Sequence, residues 1–306
     1  TNYSETMPTV TNSSSFTVTV RASKAGYKTQ SVTETVKVNK AAGSLKLSAT
    51  SGTITYPNSG TFTVSGNTGS ITASSSNTKV ATVSISGNTV TIKSVGAGTA
   101  KITVKSASNT NYNEKTATYT VTVQDPTFTG NSGVGYYADV DGNGTVDGII
   151  FEDFKAGGNG NWGGESYTIS TVSDTKSYKV SQQNYNGPFG KKDVLVANSS
   201  GNARFYIMAL SDVSSSKYQY TDANNQAKDD WVLPEKNEWV AFGDKIGITT
   251  SNYSSYGLKN EYWTSTFSIL SVAVEFPFVY EIDFSGGKLN HMVISESYYV
   301  RLARTF

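Results

Sequence analysis

The sequence contains no cysteine and only one histidine, His291. Without cysteine, the chain can form neither a disulfide bond nor a thiolate metal site. This absence does not assign a compartment, because many bacterial surface proteins also contain no cysteine. A single histidine excludes a metal site built from several histidines, although it is compatible with a Ser-His-Asp triad. We predict instead that His291 lies at the surface or at an interface.

Charged residues are also scarce: they make up 16% of the chain, and the formal net charge is +1. Nucleic acids and anionic membranes attract strongly basic surfaces, so neither is an expected partner. No apolar run approaches the roughly 18 residues of a membrane-spanning helix, so no membrane insertion is expected in this fragment. The sequence starts at Thr1 without a signal peptide, which predicts a trimmed or mature form.

Serine, threonine, valine and tyrosine are abundant, which favours strands over helices, and 306 residues suffice for two or three domains. Within residues 1–39, Ser15–Ala22 and Val32–Val38 alternate with period two around a turn at Gly26. This pattern predicts two antiparallel strands. So short a segment rarely folds alone, so we interpret residues 1–39 as a partial immunoglobulin-like module or one packed on its neighbour.

Residues 40–125 have the pattern of a second all-β unit, with turns predicted at Ser86-Gly87-Asn88 and Gly96-Ala97-Gly98. Short strands at this spacing favour a sandwich. The predicted strands are Leu45–Ala49, Gly60–Val64, Val80–Ile85, Thr89–Ile92, Ala100–Val104 and Thr118–Val123.

This unit resembles the bacterial immunoglobulin-like group 2 family over nearly its whole length. The resemblance is carried by Val80–Val83, Gly87–Val90, Val95–Val104 and Asn111-Tyr112. It implies an extracellular spacer or adhesin module without catalytic activity.

A further boundary is expected at Asp125-Pro126, because proline interrupts strands. All four tryptophans follow it, within residues 126–306. Leu233–Ile246 is predicted to be a helix with Pro234 in its first turn and Gly247 at its end. Its predicted apolar face consists of Trp239, Phe242 and Ile246.

The segment Asp230–Trp239 resembles the W-x-L-P-T-x-x-E-W signature of formylglycine-generating enzymes and their C-type-lectin-fold relatives. Further similarity lies in Asp139–Phe151, Trp162-Gly163, Tyr262–Thr266, Val279–Gly287 and Tyr299–Arg304, in the family's order. The resemblance implies an α+β C-type-lectin-like domain at 126–306. The fold class expected for the chain is therefore mostly β, with immunoglobulin-like sandwich modules preceding that domain. The family's oxidase activity is not implied, because it requires cysteines.

The last strands also resemble the variable proteins of diversity-generating retroelements, through Tyr262–Ser265, Phe284–Gly287 and Tyr299–Phe306. In that family, error-prone copying at adenines varies asparagine codons, and the altered side chains bind ligand on one face of a lectin fold. The resemblance implies the contact residues Phe267, Ile269, Leu270, Phe276, Phe278, His291, Ile294, Ser297 and Tyr298.

Codons altered in this way cannot encode Met, Lys, Glu, Gln or Trp, so Glu281, Lys288 and Met292, for example, would be fixed or would arise from other codons. The stretch between Trp263 and Val279 is longer than the family pattern, and Pro277 interrupts it. Ile282 and Phe284 alternate cleanly and are predicted to be core. The apolar residues without a period, Ile269-Leu270 and Phe276–Phe278, have two possible interpretations: they form a contact surface, or they belong to an ordinary strand core.

A candidate calcium loop spans Asp139–Asp147, with oxygen donors at Asp139, Asp141, Asn143 and Asp147. These positions match most of an EF-hand loop, but Ile150 stands where a bidentate glutamate is needed. The alternative is a hairpin whose Asn143-Gly144 forms a type I′ turn. Apart from this Ca²⁺, no cofactor is expected.

Enzymatic activity is not expected. Glycosidases need two carboxylates across a cleft, whereas the pairs Asp229/Asp230 and Glu235/Glu238 fit a loop and a helix N-terminus better. Trp231, Trp239 and Trp263 are predicted to pack in the core. Arg301 and Arg304 are predicted to hold the C-terminus through buried carbonyls or carboxylates.

The sequence therefore predicts a non-enzymatic, extracellular ligand-binding protein, displayed on a cell surface or borne by a phage. Its partner would be a protein or glycan on another cell or host surface. The alternatives are an adhesin with a fixed glycan-binding lectin-like domain and, third, an enzyme on this fold.

Overall fold

The computed structural model describes residues 15–268 and 277–306. It is mostly β, with 50% of residues in strands and 7% helical, which confirms the predicted predominance of strands. The chain divides into two compact units between Asp125 and Pro126. None of the helices within the described residues has the length and apolar character needed to cross a membrane.

The first two strands form an isolated hairpin, β1 (Ser15–Ala22) and β2 (Gln30–Lys37). The antiparallel pairing places Phe16 opposite Val36 and Val20 opposite Val32, so the apolar side chains share one face. That face stays largely exposed within the described residues; Val32, for example, is 63% exposed. The two strands were predicted from their alternation, and their assignment to a partial immunoglobulin-like module stays a prediction.

A sandwich of two four-stranded sheets follows, with orders β4-β10-β9-β6 and β3-β5-β8-β7. Phe62 of one sheet stacks on Tyr119 of the other, with ring centroids 4.4 Å apart, inside a core of valine and isoleucine. The strands are β3 (Lys46–Leu47), β4 (Ser51–Thr55), β5 (Ser59–Ser65), β6 (Ile71–Ser75), β7 (Ala81–Ser86), β8 (Thr89–Ser94), β9 (Gly98–Ser106) and β10 (Lys115–Gln124).

Two strands of this sandwich were not predicted, β4 and β6. Each is short and rich in serine or threonine, and β4 contributes only Ile54 to the buried core. Their sequences show little hydrophobic alternation, and they form strands because β4 pairs with β10 and β6 pairs with β9.

The second unit contains a six-stranded sheet of order β15-β16-β11-β12-β17-β23 and three smaller sheets, β13-β14, β18-β22 and β19-β20-β21. Its strands are β11 (Tyr137–Ala138), β12 (Gly148–Asp153), β13 (Gly158–Trp162), β14 (Glu165–Ile169), β15 (Tyr178–Gly187), β16 (Gly190–Ala197), β17 (Phe205–Ala209), β18 (Tyr218–Gln219), β19 (Glu261–Phe267), β20 (Phe278–Asp283), β21 (Lys288–Val293), β22 (Ser297–Tyr298) and β23 (Ala303–Thr305).

The main helix, α2, spans Lys236–Ile246, so the predicted start at Leu233 is wrong. Glu235 is the N-cap, and its backbone N–H donates to the Glu238 carboxylate at 2.6 Å in a capping box. The helix ends as predicted at Gly247, whose φ of 73° is the left-handed geometry that glycine adopts without strain. A short helix, α1 (Tyr220–Asn224), and a 3-10 turn (Tyr253–Tyr256) were not predicted.

Hydrogen bonds from two tryptophans join the helix to β19 and β19 to β18. The indole N–H of Trp239 donates to the Trp263 carbonyl at 3.1 Å, and the Trp263 indole donates to the Tyr218 carbonyl at 2.8 Å. Both tryptophans are fully buried, as are Ile282 and Phe284, which confirms these core predictions. Trp231 is only partly buried, because it lies at the rim of the core.

We expect Trp239→Phe to lower the free energy of unfolding of the second unit by about 2–4 kcal/mol. The change leaves a void and a buried carbonyl without its donor. Urea unfolding of the full chain, followed by tryptophan fluorescence, reports on this unit alone, because all four tryptophans lie in it. Trp231→Phe is the matched control, with an expected loss of about 1 kcal/mol or less. Equal losses in both variants would contradict the assigned role of Trp239.

Candidate ligand-contact surface

The sheet β19-β20-β21 carries the predicted contact residues Phe267, Phe278 and His291, and its register assigns them to faces. Tyr280 pairs with His291 and Glu281 pairs with Asn290, while β19 bulges between Trp263 and Phe267. Because successive side chains of a strand point to opposite faces, Phe278 and Tyr280 share one face and Val279 and Glu281 the other.

The first face, which we call the Tyr280 face, consists of Phe278, Tyr280 and His291 with Lys236. The rings of Tyr280 and His291 lie 4.6 Å apart. The Lys236 ammonium lies 4.7 Å from the centre of the Tyr280 ring and 3.0 Å from the Glu165 carboxylate. His291 is exposed, as the sequence predicted, and Phe278 and Tyr280 are half-buried. This face thus offers aromatic surface beside a fixed cation.

The other predicted contact residues that the structure describes lie on or near the opposite face. Phe267 is 54% exposed, with its ring 5.4 Å from that of Tyr220. Ser297 is exposed and Ile294 half-buried. Tyr298 is only 8% exposed and packs edge-on against Trp263 at 4.7 Å, so in this structure its side chain supports the core.

The predicted contact residues therefore do not form a single patch. Phe278 and His291 lie on one face of the sheet, and the other described members lie on or near the opposite one. Ile269, Leu270 and Phe276 lie outside the described residues.

Sequence reasoning missed Tyr280 and Lys236. Tyr280 lies in Val279–Gly287, which was interpreted only as part of the family resemblance, although period two would have placed it beside Phe278. Lys236 comes from the helix, so no local signal in the last strands could identify it.

Glu281 occupies the centre of the face opposite Tyr280 and is 1% exposed. One carboxylate oxygen, Oε2, accepts a hydrogen bond from the Asn290 side chain at 2.9 Å, whereas Oε1 has no partner in the structure. Burial raises the pKa of Glu281 to about 7; the Asn290 bond opposes this shift, and the charges of Asp283 and Glu261 add to it.

His291 also forms a pair with serine, but not in the geometry of a catalytic triad. Ser268 Oγ lies 2.6 Å from His291 Nδ1. In a serine hydrolase the hydroxyl meets Nε2, while Nδ1 donates to a carboxylate. Ser268 is moreover buried at 2% exposure, out of reach of a substrate. The pair is better explained as fixing the imidazole at the surface.

The C-terminal arginines differ in their surroundings. Arg301 is fully buried and donates to Asp212 at 2.7 Å and to the Gly257 carbonyl at 3.0 Å, as predicted. Arg304 bonds the Asp229 carbonyl at 3.0 Å and the Asp230 carboxylate at 3.3 Å, but these partners are exposed. Arg301 alone therefore fits the predicted buried anchor.

The candidate calcium loop joins β11 to β12. Asp139 is buried, and its two oxygens accept hydrogen bonds from the backbone N–H groups of Gly142 and Gly144 at 2.8 and 2.9 Å. Gly144 has a positive φ but Asn143 does not, so the expected type I′ turn is wrong. The carboxylate of Asp139 organises a longer turn instead.

The donor set of this loop fits a hard cation in part. Asp139, Asp141 and Asp147 have carboxylate oxygens within 4.8 Å of one another. Burial raises the pKa of Asp147, and the nearby charges of Asp141 and Asp139 raise it further. Asp153, downstream of the loop, does not supply the missing bidentate ligand, since it pairs with Arg204 at 2.9 Å.

Comparison with known proteins gives no family assignment: no family model and no curated protein matches the chain. Among solved structures, domains 4 and 5 of the S-layer protein SbsC are 30% identical over 35% of this chain and 65% of that one, with a TM-score of 0.24. A longer SbsC structure, residues 31–844, is 24% identical over 64% of this chain and 26% of that one, with a TM-score of 0.25.

Invasin, a bacterial integrin-binding protein, is 13% identical over 97% of this chain and 67% of that one, with a TM-score of 0.27. The chain thus spans 65% of the shorter SbsC structure and 26% of the longer one. TM-scores this low support no conclusion about function.

We expect calcium to raise the unfolding midpoint of the second unit if the loop binds it, because a ligand at 100 times its Kd stabilises the folded state by about 2.7 kcal/mol. Asp141→Asn should abolish the shift, since it removes one of the three clustered carboxylates. Asp222→Asn, on the exposed surface of α1, is the matched control. Unchanged midpoints of the parent in millimolar CaCl2 would reject the cation and leave a self-capped turn.

A second acidic cluster lies below the N-terminus of α2. Glu152 is 7% exposed, and burial raises its pKa to about 8, with a further contribution from the charge of Glu238. Burial also raises the pKa of Glu238 to about 7, although hydrogen bonds from Glu235 and Tyr206 oppose the shift. Both carboxyls therefore stay protonated to a higher pH in the folded state than in the unfolded chain.

Because these folded-state pKa values exceed the unfolded value near 4.3, their contribution to stability is complete below that pH and is lost as pH rises through about 7 to 8. We expect the second unit to lose several kcal/mol, up to about 7 kcal/mol, between pH 5 and pH 9, since the two pKa values together lie about five units above pH 5 and each unit corresponds to about 1.4 kcal/mol. Glu152→Gln should flatten this dependence. Urea unfolding at pH 5 and at pH 9 measures the change in stability. Greater stability at pH 9 would contradict the raised pKa values of Glu152 and Glu238.

Proposed function

We propose that the chain is a non-enzymatic, extracellular ligand-binding protein. Residues 126–306 form its C-type-lectin-like domain, which binds a protein or glycan on another cell or host surface. The observation that carries the proposal is the exposure of the Phe267 side chain, which is 54% exposed. Tyr262 and Trp263, on the same strand, are fully buried. An exposed aromatic side chain has no role in the core, and aromatic residues dominate binding energy at interfaces.

The scaffold beneath this surface is suited to binding with little ordering cost. Trp239 and Trp263 fix the helix to β19 by a hydrogen bond, and Arg301 holds the C-terminal strand through Asp212. Contact side chains on rigid strands lose less conformational entropy on binding than those on mobile loops.

Exposure agrees only in part with the division that the codon argument makes. Trp263 and Glu281, which mutated asparagine codons cannot encode, are buried, and the candidate variable residues Phe267 and His291 are exposed. Lys288, which such codons cannot encode either, is exposed, and the candidate variable residue Tyr298 is buried. Diversification by a retroelement therefore rests on the sequence resemblance.

We expect Phe267→Ala to weaken binding at least tenfold, about 1.4 kcal/mol or more, because the lost ring leaves an unfilled contact. The measurement is binding of the labelled full chain to arrays of extracellular proteins and glycans. Tyr112→Ala, an exposed aromatic of the sandwich, is the matched control and should bind as the parent does. Equal binding by both variants would reject the surface. Selective glycan binding lost on calcium removal would favour the fixed lectin-like adhesin.

Diversification has its own test in the genomic locus. A nearby reverse transcriptase gene and a near-copy of the terminal coding sequence, differing from it at adenines, are expected. Their absence would reject diversification and leave the ligand-binding surface itself unaffected.

A further inference from the structure

Carboxylates outnumber cations on the face of the sheet that carries Glu281. Glu281, Glu261, Glu296 and Asp283 all act on the Tyr298 phenol, whose pKa is raised to about 12 by burial first and then by these four charges. Two lysines lie among these carboxylates: Lys217, 2.9 Å from Glu261 Oε2, and Lys288, which is opposite Asp283 in the sheet and whose charge lowers the pKa of Glu281. The surroundings of Tyr298 are therefore predominantly anionic.

Within this anionic surface, Glu281 has an unused acceptor. Buried polar atoms nearly always have hydrogen-bond partners, yet Glu281 Oε1 has none. Asn290, whose side-chain amide donates to the other oxygen, is itself partly exposed. The Glu281 carboxylate therefore lies just beneath the surface, next to the Asn290 side chain. A donor that reaches this oxygen would satisfy a group whose burial is otherwise costly.

The spacing of the carboxylates selects the kind of ligand. Among the described residues, only Asp139, Asp141 and Asp147 bring their carboxylate oxygens close enough together for one metal ion. The group around Glu281 is too widely spaced for that, whereas a guanidinium, with five N–H donors in a plane, can bridge separated acceptors and stack on a phenol ring.

Lys217 shows that a cation is accommodated in these surroundings. Its ammonium lies 5.5 Å from the ring centre of Tyr298 and 5.3 Å from that of Tyr299, while it pairs with Glu261. Contacts of a cation with aromatic faces and a carboxylate are those that an incoming arginine would extend.

We propose that the surface lined by Glu261 and Asp283, together with the buried Glu281 carboxylate next to them, binds an arginine side chain of a protein ligand. The inference rests on the proposed ligand-binding function and specifies its partner as a protein with an exposed arginine. Since mutated asparagine codons cannot encode glutamate, the preference for arginine would persist whichever side chains occupy the variable positions.

The test is an NMR titration of the ¹⁵N-labelled full chain with Nα-acetyl-arginine amide, following the Asn290 side-chain amide and the Trp263 indole N–H. Saturable shifts with a millimolar Kd are expected. The uncharged isostere Nα-acetyl-citrulline amide should produce none. Equal responses to the two compounds, or no response to either, would overturn the proposal.

Variants assign the response to the carboxylates. Glu281→Gln keeps the shape of the side chain and should weaken binding of the arginine compound at least tenfold, and Glu261→Gln severalfold. Asp222→Asn should have no effect. Parent-like affinity of both glutamine variants would overturn the proposal even if the arginine compound binds.

Failure here is distinguishable from failure of the proposed function, because the probe does not depend on an identified partner. Loss of array binding in Phe267→Ala without any arginine response would reject this subsite alone. An arginine response without array binding would leave a cation-binding surface and reject the proposed function.

Discussion

The hydrogen bond from the Trp239 indole to the Trp263 carbonyl is the constraint on which the second unit depends. It joins the main helix to the first strand of the sheet β19-β20-β21, at a point where both side chains are fully buried. The capping box sets where the helix begins, and Gly247 sets where it ends. With both elements fixed, the remaining strands of the sheet can extend beyond the core and present side chains that packing does not require.

The pleat of β20 separates the two surfaces of that sheet. Tyr280 and His291 face one way, beside Lys236, and Glu281 faces the other, beside Asn290. The bulge in β19 lets Phe267 leave the core soon after Trp263 has entered it. A ligand can therefore meet an aromatic surface on one face and an anionic one on the other, and these differ in the chemistry that they recognise.

Hydrophobic alternation was enough to predict most strands of the sandwich, and Gly247 was enough to predict the end of the helix. Non-local pairing explains what was missed. Tyr298 was predicted to be a contact residue, but pairing of β22 with β18 places its ring against Trp263. Period two alone would have found Tyr280. No local pattern could show that Glu281 retains an unpaired oxygen, because its neighbours come from three different strands.

The central claim is that the last strands carry exposed side chains that the fold does not need. The most direct measurement is the free energy of unfolding of a double variant, Phe267→Ser with His291→Ser, compared with Ile282→Ala on the same sheet. The account predicts a loss of about 1 kcal/mol or less for the double variant and about 2–5 kcal/mol for the core variant. A loss in the double variant as large as that in Ile282→Ala would mean that these side chains belong to the core, and it would contradict the account.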